Sequence, residues 1–163
     1  MRQLLPVLLL AWCVVTCGCA ESPAPSAGSP EDEADISIAS DGTIGYLLGK
    51  GEVIFRFDAL EFDNVTRNDT GKWLPIGEVD IKTVSVAGDF NEWSREAWHM
   101  VKDGDGIFEL KKDLGVFGDR SRWEFKFAIN DFYWVEPPAD AKNSTAGGMY
   151  KANRSANLIL SLP

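Results

Sequence analysis

The sequence contains no cysteine after residue 19, and this absence limits how the chain can be stabilised. Its three cysteines, Cys13, Cys17 and Cys19, all lie in or directly after an apolar N-terminal run. No disulfide can therefore form in the remainder of the chain. A folded domain in that remainder must depend on its hydrophobic core alone.

Excess basic charge and a long apolar run are also lacking. The chain has 16 Lys and Arg against 25 Asp and Glu, for a formal net charge of −9. Binding to a phosphate backbone requires a basic face, so we do not expect nucleic acid as a partner. The apolar run at residues 4–15 is too short for a membrane-spanning helix.

The N-terminal segment is typical of a secretory signal, because a positive start and a short apolar run precede small and cysteine residues. Residues 1–19 resemble a bacterial lipoprotein signal, in which the cysteine after the cleavage point is lipidated. Cys19 is favoured for lipidation because it follows Gly18, which suits the cleavage position. The alternatives are lipidation of Cys17 and an ordinary signal peptide cleaved near Ala20.

The next segment, residues 20–42, is rich in Pro, Ser, Ala and acidic side chains. It has too little apolar content to fold, so it is predicted to be a flexible linker. A lipid anchor followed by such a tether holds a domain off a membrane surface. We therefore expect an exported protein of the bacterial cell envelope.

Four Asn-x-Ser/Thr sequons fit an exported eukaryotic protein as well: Asn64, Asn68, Asn143 and Asn153.

Residues 43–163 show the alternation of β-strands, separated by turns rich in Gly, Asp, Asn and Pro, and no convincing helix. This pattern predicts one all-β domain, an antiparallel β-sandwich. Residues 61–80 are long for a hairpin turn and are predicted to hold an extra short strand or an ordered loop. The predicted strands lie at 52–60, 81–88, 106–114, 122–131 and 156–163.

The strand at 122–131 has the clearest alternation. Its aromatic and branched side chains are predicted to face the core, and the residues between them to face outward. The core-facing set is Trp123, Phe125, Phe127 and Ile129, and the outward set is Glu124, Lys126 and Ala128.

Catalysis and metal binding find little support in the sequence. The single histidine, His99, lies beside core-like Trp98 and Met100, no nucleophile motif is present, and we expect no enzyme activity and no cofactor. Residues 103–106, Asp-Gly-Asp-Gly, resemble part of a calcium loop, but the EF-hand order would place Val101 at the first ligand position. A hairpin turn at residues 102–106 is the simpler interpretation.

Two tryptophans stand at strand ends among polar residues. Trp93 follows the turn at residues 88–92, and Trp134 follows the strand at 122–131. Such indoles can form a platform for a sugar, whose C–H groups pack on the rings while its hydroxyls bond polar side chains. They can equally cap the sandwich core, and composition alone does not decide between these interpretations.

Four stretches occur in the order seen in a known family: VAGDFNEWS, DGDGIFELKKDL, WEFKFAINDFYWVEPP and the late NLIL. In these the chain resembles carbohydrate-binding module family 48, which includes the glycogen-binding domain of the AMP-activated protein kinase beta subunit and also stands at the front of branching and debranching enzymes. The resemblance covers roughly residues 52–163 and is strongest at 84–138. It implies an immunoglobulin-like sandwich that binds α-linked glucan without catalysis.

The resemblance also implies site residues. The two sugar-stacking tryptophans fall on Trp93 and Trp134, the hydrogen-bonding lysine on Lys126, and the late asparagine on Asn157. Two departures weaken the match. The loop that supplies an apolar residue between sugars is longer here, where Met149 or Tyr150 would serve, and the insertion at 61–80 would cover or extend the site. Some family members contact proteins instead, so an envelope protein-interaction domain with buried or covered indoles is the alternative.

Overall fold

The computed structural model describes residues 43–145 and 155–163, and these form two antiparallel β-sheets. The predicted all-β class is confirmed: among the described residues, helical structure is confined to 3-10 turns of three or four residues. No helix in these ranges is long and apolar enough to cross a membrane. The strands are β1 (Tyr46–Gly49), β2 (Glu52–Asp58), β3 (Asn64–Arg67), β4 (Trp73–Pro75), β5 (Val84–Gly88), β6 (Val101–Lys102), β7 (Ile107–Asp113), β8 (Arg122–Ile129), β9 (Tyr133–Glu136) and β10 (Leu158–Ser161).

The smaller sheet has four strands in the order β1-β2-β7-β6. Its centre is the β2–β7 pair, in which Phe57 lies opposite Phe108. The turn between β6 and β7 is closed by hydrogen bonds from the Asp103 and Gly104 N–H groups to the Ile107 carbonyl, at 3.0 and 3.3 Å. The predicted hairpin turn at residues 102–106 is therefore confirmed.

The larger sheet is organised around β8, which pairs with β5, β9 and β10. Because β5 and β9 both pair with residues 128 and 129, they lie on opposite edges of β8. Beyond β9 the sheet continues through β3 to β4. The segment at 61–80 thus contains two strands, β3 and β4, which lengthen the sheet next to Trp134.

The core lies between the sheets and is dominated by phenylalanine. Phe55, Phe57, Phe125 and Phe127 have no exposed surface, and their rings meet at steep angles with centroids 5.3 to 5.7 Å apart. Edge-to-face packing adds about 0.5–1.5 kcal/mol per pair to the gain from burial. A core of this kind stabilises a fold whose described residues contain no cysteine.

The inward half of the predicted alternation in β8 is confirmed for Phe125, Phe127 and Ile129, while Trp123 packs at the core's edge and is half-buried. The outward half needs a correction. Lys126 and Ala128 do lie on the face away from the phenylalanines, yet they are 3% and 0% exposed. Central strands of a sheet are crowded on both faces when neighbouring strands bring large side chains alongside, so outward does not mean exposed here.

Candidate functional site

The turn after β5 is held by one side chain. The Asn91 Oδ1 accepts a hydrogen bond from the Gly88 N–H (2.9 Å), and its Nδ2 donates to the carbonyls of Val86 (2.9 Å) and Ser94 (3.4 Å). These bonds replace backbone partners that the chain loses where it leaves the strand. The turn is consequently fixed on both sides of Trp93.

Trp93 itself lies in an unusual backbone conformation. Glu92 and Trp93 have φ angles of 55° and 59°, in the left-handed region that non-glycine residues seldom adopt. The Trp93 N–H still reaches back to the Gly88 carbonyl at 2.9 Å. Its indole Nε1 donates to the Asp89 carboxylate at 3.1 Å, which fixes the orientation of the ring.

Trp134 is positioned by the hairpin between β8 and β9. Asn130 and Asp131 in that hairpin also have positive φ angles, 53° and 54°. The Asn130 carboxamide anchors the hairpin to the chain before β5: its Oδ1 accepts from the N–H groups of Lys82 (2.9 Å) and Thr83 (3.1 Å). Both tryptophans therefore lie next to turns that are cross-linked by asparagine side chains.

The two indoles, which are 41 positions apart in sequence, lie next to each other in the structure. The ring centroids of Trp93 and Trp134 are 6.3 Å apart, and the ring planes meet at 74°. Both side chains are half-buried, so neither is enclosed in the core. The pair thus presents two nearly perpendicular faces rather than a flat platform.

Arg95, which sequence reasoning missed, packs against one ring of the aromatic pair. The Arg95 guanidinium lies 5.6 Å from the centre of the Trp134 ring, and its Nη1 donates to the Asp131 carbonyl. On the other side, the Trp134 Nε1 donates to Asn68 Oδ1 at 3.3 Å. Arg95 follows Trp93 by two residues in a polar turn, where no local pattern predicts a contact with β9.

Lys126 is buried and engaged with the protein. Its Nζ lies 2.9 Å from both carboxylate oxygens of Glu136 and also contacts the Ser155 hydroxyl. Burial lowers the pKa of the Lys126 ammonium below its usual value, and the Glu136 charge offsets part of that change. Lys126 thus faces outward from the sheet but is buried, whereas a side chain that bonds a free ligand directly is expected to be exposed.

Asn157 is half-buried at the start of the last strand. Its Nδ2 donates to Glu124 Oε2 at 2.9 Å, and its backbone exchanges hydrogen bonds with Thr145: the Asn157 N–H donates to Oγ1, and the Thr145 N–H donates to the Asn157 carbonyl. Asn157 therefore ties the last strand to β8. Met149, Tyr150, Cys19, the predicted signal and the predicted linker lie outside the described residues.

The segment at 61–80 was predicted to cover or extend the site, and it lies beside it. Within the segment, β3 and β4 form a hairpin closed by the Arg67 N–H and the Lys72 carbonyl at 2.9 Å. Asn68, in the turn of this hairpin, is the residue that bonds Trp134. The Asn-Asp-Thr-Gly sequence at 68–71 is a turn signature that would have located this hairpin.

His99 takes part in none of the contacts described above. His99 is exposed, in an isolated bridge with Ser85. Across residues 43–145 and 155–163, no group of three or more His, Cys, Asp or Glu side chains is placed to hold a metal ion.

No protein-family model matches the chain. Among curated proteins, the chain is similar to the 1,4-alpha-glucan branching enzyme GlgB of Nitrobacter hamburgensis, with 34% identity over 87 residues. The aligned region is 53% of this chain and 12% of the enzyme. The similarity therefore concerns a small part of that enzyme, and it agrees with the resemblance inferred from the sequence.

Proposed function

We propose that this β-sandwich is a non-catalytic module that binds α-linked glucan through Trp93 and Trp134. The observation that carries the proposal is the meeting of two half-buried indoles, whose ring centroids are 6.3 Å apart. Perpendicular rings form a corner, and a pyranose seated in a corner packs C–H groups against two faces at once.

Polar groups around the corner support a sugar over a purely apolar ligand. Asp89, Asn68 and Arg95 each contact one of the two indoles and have further capacity for hydrogen bonds. A few directed polar groups beside an aromatic surface are the usual composition of a site for a hydroxyl-rich ligand. Lys126 and Asn157, which the family resemblance implies as sugar contacts, support the corner from the sheet below in this proposal.

The similarity to the branching enzyme supports the same class of ligand. That enzyme's name specifies a 1,4-α-glucan, and the aligned region is 12% of its length. The part held in common is thus small, as expected for a binding module. Affinity for one site is expected to be modest, because the gain from two rings is offset by ordering the ligand. Binding to a polymer with many ends would compensate through avidity.

We further propose that the chain is a lipoprotein of the cell envelope, lipidated at Cys19 and tethered by residues 20–42. This rests on the sequence pattern alone. Expression of the full chain in a bacterium should give a membrane-associated form, and mass spectrometry of its N-terminal peptide should find lipid on Cys19. The Cys19→Ala variant should be released, whereas lipid on Cys17, or a free N-terminus near Ala20, would contradict the assignment.

Glycan binding can be tested by electrophoresis of the purified chain through native gels that contain glycogen or amylose. We expect the wild type to be retarded, and Trp93→Ala and Trp134→Ala to migrate as in gels without glycan. Leu60→Ala, which removes an exposed apolar side chain (95% exposed) from another part of the surface, should be retarded like the wild type. Circular dichroism would establish that each variant is folded.

Equal mobility of the wild type and both folded variants would contradict the proposal. It would favour the alternative, an envelope protein-interaction domain of the same fold. Under that alternative the sugar site is unused, so Trp93→Ala and Trp134→Ala should capture the same partner protein from envelope extracts as the wild type does.

A further inference from the structure

We propose that Trp73 is a third stacking contact of the same site, so that the module binds along a glucan chain rather than at a single sugar unit. This inference rests on the proposed function and adds to it a preference for chain length. Trp73 belongs to β4, at the far edge of the larger sheet.

The strand register puts Trp73 in line with Trp134. Thr66 of β3 lies opposite Trp134 on one side and opposite Trp73 on the other. Residues directly opposite one another in a sheet point to the same face. The neighbouring row, with Val65 between Val135 and Leu74, packs into the core, so the row of Trp134, Thr66 and Trp73 faces outward.

Among the described residues, a short side chain lies between the two rings in the sheet. Thr66 is the residue between them, and its short side chain is held down by a hydrogen bond from Oγ1 to Glu136 Oε1 at 2.8 Å. Two strand spacings place the Trp134 and Trp73 backbones about 10 Å apart. A ligand that touches both rings must therefore span the width of β3.

Trp73 is exposed enough to be reached and has polar neighbours. It is 39% exposed, which is unusual for so large an apolar side chain. Together with Asp63, Asn64 and Pro138 it lines an open cleft of about 250 Å³. A carboxylate and a carboxamide beside an indole repeat the chemistry found around Trp93, where Asp89 bonds the ring.

These features favour an extended glucan over a single sugar. One pyranose cannot touch both Trp134 and Trp73 across β3, whereas successive units of one chain can do so. The short oligosaccharide would occupy the corner of Trp93 and Trp134, and the longer one would continue over Thr66 to the cleft.

The test is titration calorimetry of the purified chain with maltotriose and maltoheptaose. We expect Trp73→Ala to leave the maltotriose Kd within twofold of the wild-type value. The same variant should raise the maltoheptaose Kd roughly five-fold, which corresponds to the loss of about one aromatic contact. Trp134→Ala should weaken both. Trp73→Phe, which keeps a stacking face, should retain most of the maltoheptaose affinity.

The outcomes separate this inference from the proposed function. If the wild type binds neither oligosaccharide, the proposed function fails and the inference fails with it. If the wild type binds both and Trp134→Ala weakens both, but Trp73→Ala leaves maltoheptaose unaffected or weakens the two sugars equally, only the inference is overturned. Unchanged maltotriose binding by Trp73→Ala also shows that this variant is folded.

Discussion

The ammonium of Lys126 lies 2.9 Å from both carboxylate oxygens of Glu136, on the outward face of a sheet where neither residue is more than 3% exposed. Removing one partner of a buried ion pair is strongly destabilising, because the other partner is left as a buried, uncompensated charge. The pair thus joins β8 to β9 on the outward face of the sheet, alongside the row that carries Trp134.

Replacement of Lys126 by Met should lower the free energy of unfolding by about 3–5 kcal/mol, because it strands the Glu136 carboxylate. Urea denaturation would measure the loss. Lys111→Met is the matched control, since Lys111 and Glu52 are 3.7 Å apart and better exposed, and it should cost less than about 1 kcal/mol. Similar small losses in both variants would contradict a structural role for Lys126. The double variant Lys126→Met/Glu136→Met should recover much of the stability.

Asn91→Ala should weaken both the fold and glycan binding, although Asn91 is not proposed to touch the sugar. The change removes the hydrogen bonds to Gly88, Val86 and Ser94 that hold the turn before Trp93. We expect a loss of about 1–3 kcal/mol from the backbone groups left without partners. Thermal melting and glycogen-gel mobility would be measured together. Asn91→Asp keeps the acceptor but loses both donors, so its effects should be intermediate; wild-type behaviour of the alanine variant would refute this account of the turn.

Gly88→Ala should be strongly destabilising for a steric reason. A Cβ at Gly88 would lie 2.5 Å from the Glu124 carbonyl oxygen and 2.9 Å from both the Phe125 Cβ and the Phe90 ring, and the backbone oxygen cannot move aside cheaply. We expect a loss of about 1–3 kcal/mol, as for other overpacked sites. Gly77→Ala is the control, because a Cβ there meets nothing within 4 Å. Equal melting temperatures for the two variants would show that β5 can shift away from β8.

The stability of the protein should depend on pH through Glu61. Partial burial of the carboxyl group, and then the Asp58 carboxylate, raise the pKa of Glu61 above its ordinary value, and Arg56 partly opposes them, although the residue as a whole remains exposed. The folded state therefore binds the Glu61 proton more tightly than the unfolded state does. Its contribution to stability is complete below the unfolded pKa and is lost as the pH rises through the raised, folded value.

Glu61→Gln should accordingly raise the melting temperature slightly at pH 7 and leave it unchanged at a pH below the ordinary glutamate pKa. Melting curves of the wild type and variant across pH 3 to 7 would measure the difference. Glu96→Gln, at an exposed position in another turn, controls for the general effect of removing one negative charge. A gain at low pH in place of neutral pH would reverse the expected sign.

Five of the ten strands in the described residues were predictable from the alternation of apolar and polar residues, which is clearest in β8. Phe125 and Phe127 occupy every second position of β8, and no helical period competes with that pattern. The turn at 102–106 was predictable for a similar reason, since Asp-Gly pairs favour a hairpin. Local sequence is sufficient in these places because the local preference and the final fold agree.

The interior of the site was less predictable. The alternation places Lys126 on the outward face but contains no information on what lies above it, so its burial with Glu136 could not be foreseen. Arg95 meets Trp134 through a contact between residues 39 positions apart, which no spacing within one strand encodes. The meeting of Trp93 and Trp134 was predicted only because turns that are distant in sequence were matched to a known family.

The edge strand β4 of the larger sheet limits how the sheet can pair with another molecule. Pro75, which ends β4 opposite Asn64, has no backbone N–H and cannot donate to another strand. The free edge of this three-residue strand therefore has an interrupted row of backbone N–H donors, and it is a poor template for pairing with a strand of another molecule. Copies crowded side by side would be protected from polymerising along this edge, even with an indole exposed upon it.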